Sequence, residues 1–194
     1  MSQGRSKGKR LIPVPESLLK GLMDAASKDG KPVNSYIEEA LQQAVKVFET
    51  GQNLAGMVHY FKILQSQKAS GAIFTPLTVF DFMTRKVSTT DKDKLLEEWF
   101  ESGKWYGKYI VEKFQNPVQA LADLLQVTRG DLNEVNVTAI DGKTKLRCTS
   151  IALTKDGTEL LLKFIAGALD GMNCKILKNE FMKGLILVEF TLCT

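Results

Sequence analysis

At 194 residues the chain has room for a small module and one domain of ordinary size with its own core. Its net charge is only +4 and four basic groups fall in the first ten residues, so the remainder is nearly balanced, which excludes a body built to coat a polyanion. The three cysteines, Cys148, Cys174 and Cys193, are odd in number and widely spaced, which fits a reducing cytoplasm better than a disulfide framework. No apolar run approaches the roughly 20 residues of a membrane span; the best, 160–169, is interrupted by Lys163.

Residues 1–8 read as a flexible basic arm. Arg5, Lys7, Lys9 and Arg10 come with no acid among small polar residues, a composition that follows a DNA backbone rather than folding. No apolar h-region follows, so the arm is not a signal peptide. Over 9–14 (KRLIPV) side chains alternate, with Lys9, Leu11 and Pro13 on one side and Arg10, Ile12 and Val14 on the other. A lone strand leaves its backbone groups unpaired, and its simplest partner is an identical copy, so the segment implies a two-stranded ribbon in a homodimer. Pro13 fits, because a ribbon consists only of edges.

Pro15-Glu16 opens a helix with Leu18, Leu19, Leu22 and Ala26 at helical spacing, and Asp29-Gly30 closes it. Asn34 is the expected N-cap of a second helix, whose apolar stripe runs from Tyr36 to Phe48 and whose positive first turn suits Glu38 and Glu39. Taken together, RLIPVPESLLKGL and GKPVNSYIEEAL resemble the ribbon-helix-helix family of dimeric DNA-binding proteins over residues 9–50. The resemblance implies that Lys9, Leu11 and Pro13 enter the major groove of double-stranded DNA while backbone amides at Asn34 and Ser35 hold a phosphate. Only Lys9 can read a base edge by hydrogen bonding, and Leu11 offers a methyl contact, so modest sequence specificity is expected. A ribbon that serves dimerisation alone is the plainer alternative.

Residues 51–56 (GQNLAG) read as a linker. Beyond it, helical patterns cover 57–67, 78–86, 91–114 and 118–125, the last restarting after Asn116-Pro117. On the longest of these, Leu96, Trp99, Gly103, Tyr106 and Ile110 recur at steps of three or four. Core packing is the default role of its aromatics. If a ligand pocket exists, Trp99 and Tyr106 are its best lining, with the gap at Gly103 leaving room for a small apolar guest.

Composition then shifts towards strands. Segments 134–140 and 143–151 flank Asp141-Gly142, a strong hairpin signal. Segment 158–171 is apolar nearly all round and reads as a buried helix across a sheet, with Gly167 and Gly171 permitting close approach. Strands at 174–178 and 185–192 follow, the second apolar on both faces and expected to be central. The expected fold class is therefore α+β, with helices packed on a mainly antiparallel sheet. ESGKWYGKYI, KFIAGALDGM and NEFMKGLILVEF together resemble the vinyl-reductase type of small-molecule-binding domain, related in fold to the haem nitric-oxide-binding and TRAPP-type families, over 57–194. That resemblance implies a sensing or interaction domain. Many members carry a zinc-holding cysteine cluster near the last hairpin, but the matching positions here are Phe181 and Val188, so no metal site carries over.

Enzyme chemistry has little to stand on. His59, the single histidine, lies in the apolar helical stretch MVHYFKIL, and neither a GxxxxGK[ST] loop nor HExxH occurs. The sequence thus leads to a cytoplasmic, non-enzymatic homodimer or higher oligomer that binds DNA, needs no cofactor or membrane, and carries a domain for a small molecule or partner. A DNA-organising or partition-type protein, whose larger domain serves only oligomerisation, is the alternative.

Overall fold

A computed structural model describes residues 12–192, other than Ser70, Ser88 and Asp141. Among these residues the chain is α+β: seven helices and one four-stranded antiparallel sheet. It divides into two units, Met1–Val58 and His59–Thr194.

Unit 1 holds α1 (Glu16–Lys28) and α2 (Val33–Glu49). α1 starts behind Pro15 and ends where Gly30 takes φ +67°, with Lys31 N–H donating to the Ala26 carbonyl to close the last turn. α2 begins two residues earlier than expected: Pro32 precedes its first turn and Asn34 lies inside it, because the first ladder bond runs from Tyr36 N–H to the Pro32 carbonyl. The first turn accordingly holds no acid. Glu39 lies further along the helix and accepts instead from Lys31 Nζ at 2.7 Å. Residues 12–15 form neither helix nor strand, as one copy offers no second strand to pair with. Of the expected ribbon, residues 9–11 lie outside the described residues. The helix pair buries only Ala26, while Leu41, Val45 and Phe48 stay 57%, 58% and 78% exposed.

The expected linker 51–56 is shorter. Gly51 turns the chain at φ +77°, Asn53 Oδ1 accepts from Gly56 N–H at 2.8 Å, and α3 (Leu54–Ala69) has already begun. α3 starts in unit 1 and ends in unit 2.

Unit 2 continues with α4 (Leu77–Lys86), α5 (Thr89–Lys113), α6 (Pro117–Thr128), β1 (Glu134–Ile140), β2 (Lys143–Thr149), α7 (Lys155–Gly171), β3 (Lys175–Met182) and β4 (Leu185–Thr191). Strand order is β1-β2-β4-β3, so β4 is central as expected. Its buried face is Ile186, Val188 and Phe190, in line with Leu146 and Cys148 of β2; the other face is only partly covered. β2 ends at Thr149, short of Ile151: Ser150 N–H still donates to the Gly184 carbonyl, but its hydroxyl donates to the Asp131 carbonyl and accepts from Ala152 and Leu153 N–H, which turns the chain.

α7 lies between the sheet and α5. A Cβ on Gly103 would collide with the Phe164 carbonyl and one on Gly107 with that of Ala168, while Gly167 and Gly171 meet the backbone of Phe100 and Lys104. Both series advance together, so α5 and α7 run parallel in backbone contact, each supplying glycines to the other. Gly167 and Gly171 thus permit close approach to α5 rather than to the sheet. The core forms around α7, with Leu161, Ile165, Leu169, Leu121, Leu125 and Phe190 all nearly inaccessible.

Candidate functional site

A concavity among the described residues lies in unit 2, on the side of α5 that faces α3 and α6. Its apolar wall is an aromatic chain. Phe80 meets Trp99 edge-on at 5.8 Å between ring centres, Trp99 meets Phe164 at 6.2 Å, and Phe164 meets Tyr106 at 5.4 Å. Helical spacing on α5 puts Trp99 and Tyr106 on one stripe; the parallel approach of α7 inserts Phe164 between them. Leu95, Leu124, Leu125 and Leu161 extend the wall around a volume of about 480 Å³, within the range of small-molecule sites. A second hollow of about 570 Å³ shares Ile73, Phe74, Trp99, Thr128 and Arg129 with the first, so the two form one branched groove.

Among the polar side chains that line the groove, Tyr106, Gln67 and Arg129 are held by partners, and Glu98 and Ser102 line it as well. The Tyr106 hydroxyl donates to Gln67 Oε1 at 2.7 Å, which ties α5 to α3 across a buried contact. Arg129 at the junction of the hollows donates from Nε and Nη2 to both oxygens of Asp131, at 2.8 and 2.6 Å. Burial is the largest single influence on Asp131 and works to raise its pKa, but the hydrogen bonds and charge of Arg129 together with a backbone hydrogen bond hold the carboxyl below the usual carboxylate range. Arg129 therefore reaches the groove already neutralised by Asp131.

Trp99 and Tyr106 both line the groove, as the sequence suggested. Gly103 does not open space for a guest. The room beside it is filled by the Phe164 backbone, so its missing side chain serves helix approach instead. Gln67, Phe164 and Arg129 escape sequence reasoning because they come from three other segments. A weak signal exists for Gln67, which lies four residues after Ile63 and so shares its buried face of α3. The loop pair Ile73-Phe74 gives another: two large apolar residues among Gly, Thr and Pro, 85% and 78% exposed.

Other reactive side chains serve structure. His59 Nε2 lies 2.6 Å from Asp123 Oδ2, and Asp123 Oδ1 accepts from Gln119 Nε2, so this pair staples α3 to α6. Burial pushes the Cys148 thiol up to about 12, far from a nucleophile's range. Val188 is buried and Phe181 packs on the core.

At the expected DNA-reading end, Arg5, Lys7, Lys9, Arg10 and Leu11 lie outside the described residues, and Pro13 is exposed. Asn34 and Ser35 are exposed in the first turn of α2, where Val33, Asn34 and Ser35 N–H all precede the first ladder bond at Tyr36. Such amides at a helix start accept an anion without rearrangement. Comparison of the chain with protein-family models, with curated proteins and with solved structures gives no match, and its reading rests on its own residues and geometry.

Proposed function

We propose that the chain is a dimeric DNA-binding regulator: a ribbon-helix-helix unit formed by two copies holds DNA, and unit 2, built like a vinyl-reductase-type domain, takes up a small apolar molecule. The observation that carries the reading is the bare apolar stripe of α2, Leu41, Val45 and Phe48, beside a helix pair that buries only Ala26 within one copy. A second copy supplies the missing cover and, with it, the missing strand. Lys9, Leu11 and Pro13 then enter the major groove, Asn34 and Ser35 amides take a phosphate, and Arg5, Lys7 and Arg10 follow the backbone. The groove bounded by Trp99, Tyr106 and Phe164 supports the sensing role over a purely architectural DNA-organising one, which has no use for it. A cytoplasmic setting suits the chemistry, as no disulfide joins Cys148 to Cys174 and no helix among the described residues is long and apolar enough to cross a membrane.

Selection of bound sequences from random DNA tests the reading, with affinity then followed against salt. If Arg5, Lys7 and Arg10 of both copies each meet a phosphate, about six counterions leave and log K falls against log salt with a slope near −5. Lys9→Ala is expected to relax discrimination at one position per half-site, while removal of residues 1–8 weakens binding to all sequences alike. An unchanged affinity and slope after both changes would overturn the proposal for this end of the chain.

A further inference from the structure

The loop between α3 and α4 carries Ile73 and Phe74 side by side, 85% and 78% exposed, although each of them lines both hollows of the groove. Large apolar side chains left in water at the mouth of an apolar groove forgo the burial that a short inward movement gives them. The backbone permits that movement. Ile73, Phe74 and Thr75 make no backbone hydrogen bond among the described residues, Gly71 takes φ +75° with open space around it, and Pro76 keeps Thr75 out of the helix that follows. Both ends of the segment are nevertheless fixed to the groove wall. Ala72 N–H donates to the carbonyl of Gln67, whose side chain accepts from the Tyr106 hydroxyl. At the other end the Pro76 carbonyl accepts from Phe80 N–H, and the Phe80 ring meets Trp99 edge-on.

We infer that residues 72–75 form a strap that closes over the groove once a guest is inside, with Ile73 and Phe74 as the last wall of the site. The inference rests on the groove being a binding site, as proposed above. Closure requires the guest. Hollows of about 480 and 570 Å³ are larger than one isoleucine and one phenylalanine side chain fill, so a strap closed on an empty groove leaves a void whose lining lacks contacts. A guest supplies those contacts on one side while the strap supplies them on the other. Neither strap side chain can form a hydrogen bond, so the part of the guest that they cover must itself be apolar.

Binding of N-phenyl-1-naphthylamine, an uncharged apolar dye that brightens out of water, to the full chain tests this. Ser102→Trp, which fills the groove from an exposed position of α5, reports whether the dye sits there. Ile73→Ala and Phe74→Ala probe the strap, and Phe82→Ala, an exposed phenylalanine of α4 outside the groove lining, is the control. The expected result is loss of dye in Ser102→Trp, release roughly tenfold faster from Phe74→Ala and about threefold faster from Ile73→Ala with little change in entry, and parental release from Phe82→Ala. In the unaltered chain, chymotryptic cleavage after Phe74 should slow about tenfold when the dye saturates the groove. Dye that is lost in Ser102→Trp, yet leaves both strap variants at the parental rate and gives no protection at Phe74, overturns the strap and leaves the groove reading standing. Dye that does not bind, or that binds Ser102→Trp equally well, overturns both. A Phe74→Ala protein whose one change is a smaller assembly in sedimentation also overturns the strap and assigns the pair to an interface between chains.

Discussion

In unit 2, Ile165, Leu169 and Phe190 are shielded by helices and strands of the same chain, whereas in unit 1 the comparable positions Leu41, Val45 and Phe48 stand in solvent. The helices of unit 1 are no less regular: α1 and α2 both start behind a proline, and each has one apolar stripe. What differs is the number of layers available. α7 is covered on one side by the sheet and on the other by α5, while α1 and α2 have only each other. Two helices of 13 and 17 residues cannot enclose two stripes. Sequence pattern thus makes good helices in both units, but only unit 2 contains enough chain to bury what the pattern presents.

Matched deletions of one aromatic ring give the largest expected contrast. Phe190→Ala is expected to cost unit 2 about 3–5 kcal/mol in urea unfolding followed by tryptophan fluorescence, independent of protein concentration. Phe48→Ala should instead act through assembly, lowering a melting temperature that rises with concentration in the parent. An equal and concentration-independent loss from Phe48→Ala would break the comparison. Next comes Gly167→Ala, whose new Cβ meets the Phe100 carbonyl and forces α5 from α7; a loss of roughly 1–3 kcal/mol confined to unit 2 is expected, with DNA binding retained. Asn116→Ala removes the side chain that accepts from Gln119 N–H at the start of α6, and about 1 kcal/mol is expected in the same assay.

The smallest effect is expected from acid. Asp131 has a lowered carboxyl pKa in the folded chain, so its stabilising contribution is present above the ordinary carboxylate pKa of about 4 and is lost as the pH falls through the lower folded value. Asp131→Asn should therefore flatten part of the acid limb of unit 2's stability profile. Unit 1 should show no such change in a pH series of thermal melts, since Asp131 belongs wholly to unit 2.

Local chemistry was enough to read most element boundaries. Pro15-Glu16, Asn116-Pro117 and Asp141-Gly142 announced α1, α6 and the β1–β2 hairpin, because proline, cap and turn preferences act over a few residues. Apolar residues on both faces likewise gave the central position of β4, and helical spacing gave the Trp99–Tyr106 stripe. Tertiary structure decided the rest. The role of Gly103 depends on α7, which lies some sixty residues further along the chain and occupies the space that a glycine in α5 would otherwise leave open. Gln67, Phe164 and Arg129 join Tyr106 and Trp99 only because α3, α6 and α7 converge on α5, and spacing within one helix holds no record of that. A periodic pattern specifies which face of an element must be covered; what covers it is settled by packing against distant parts of the chain, or by another chain.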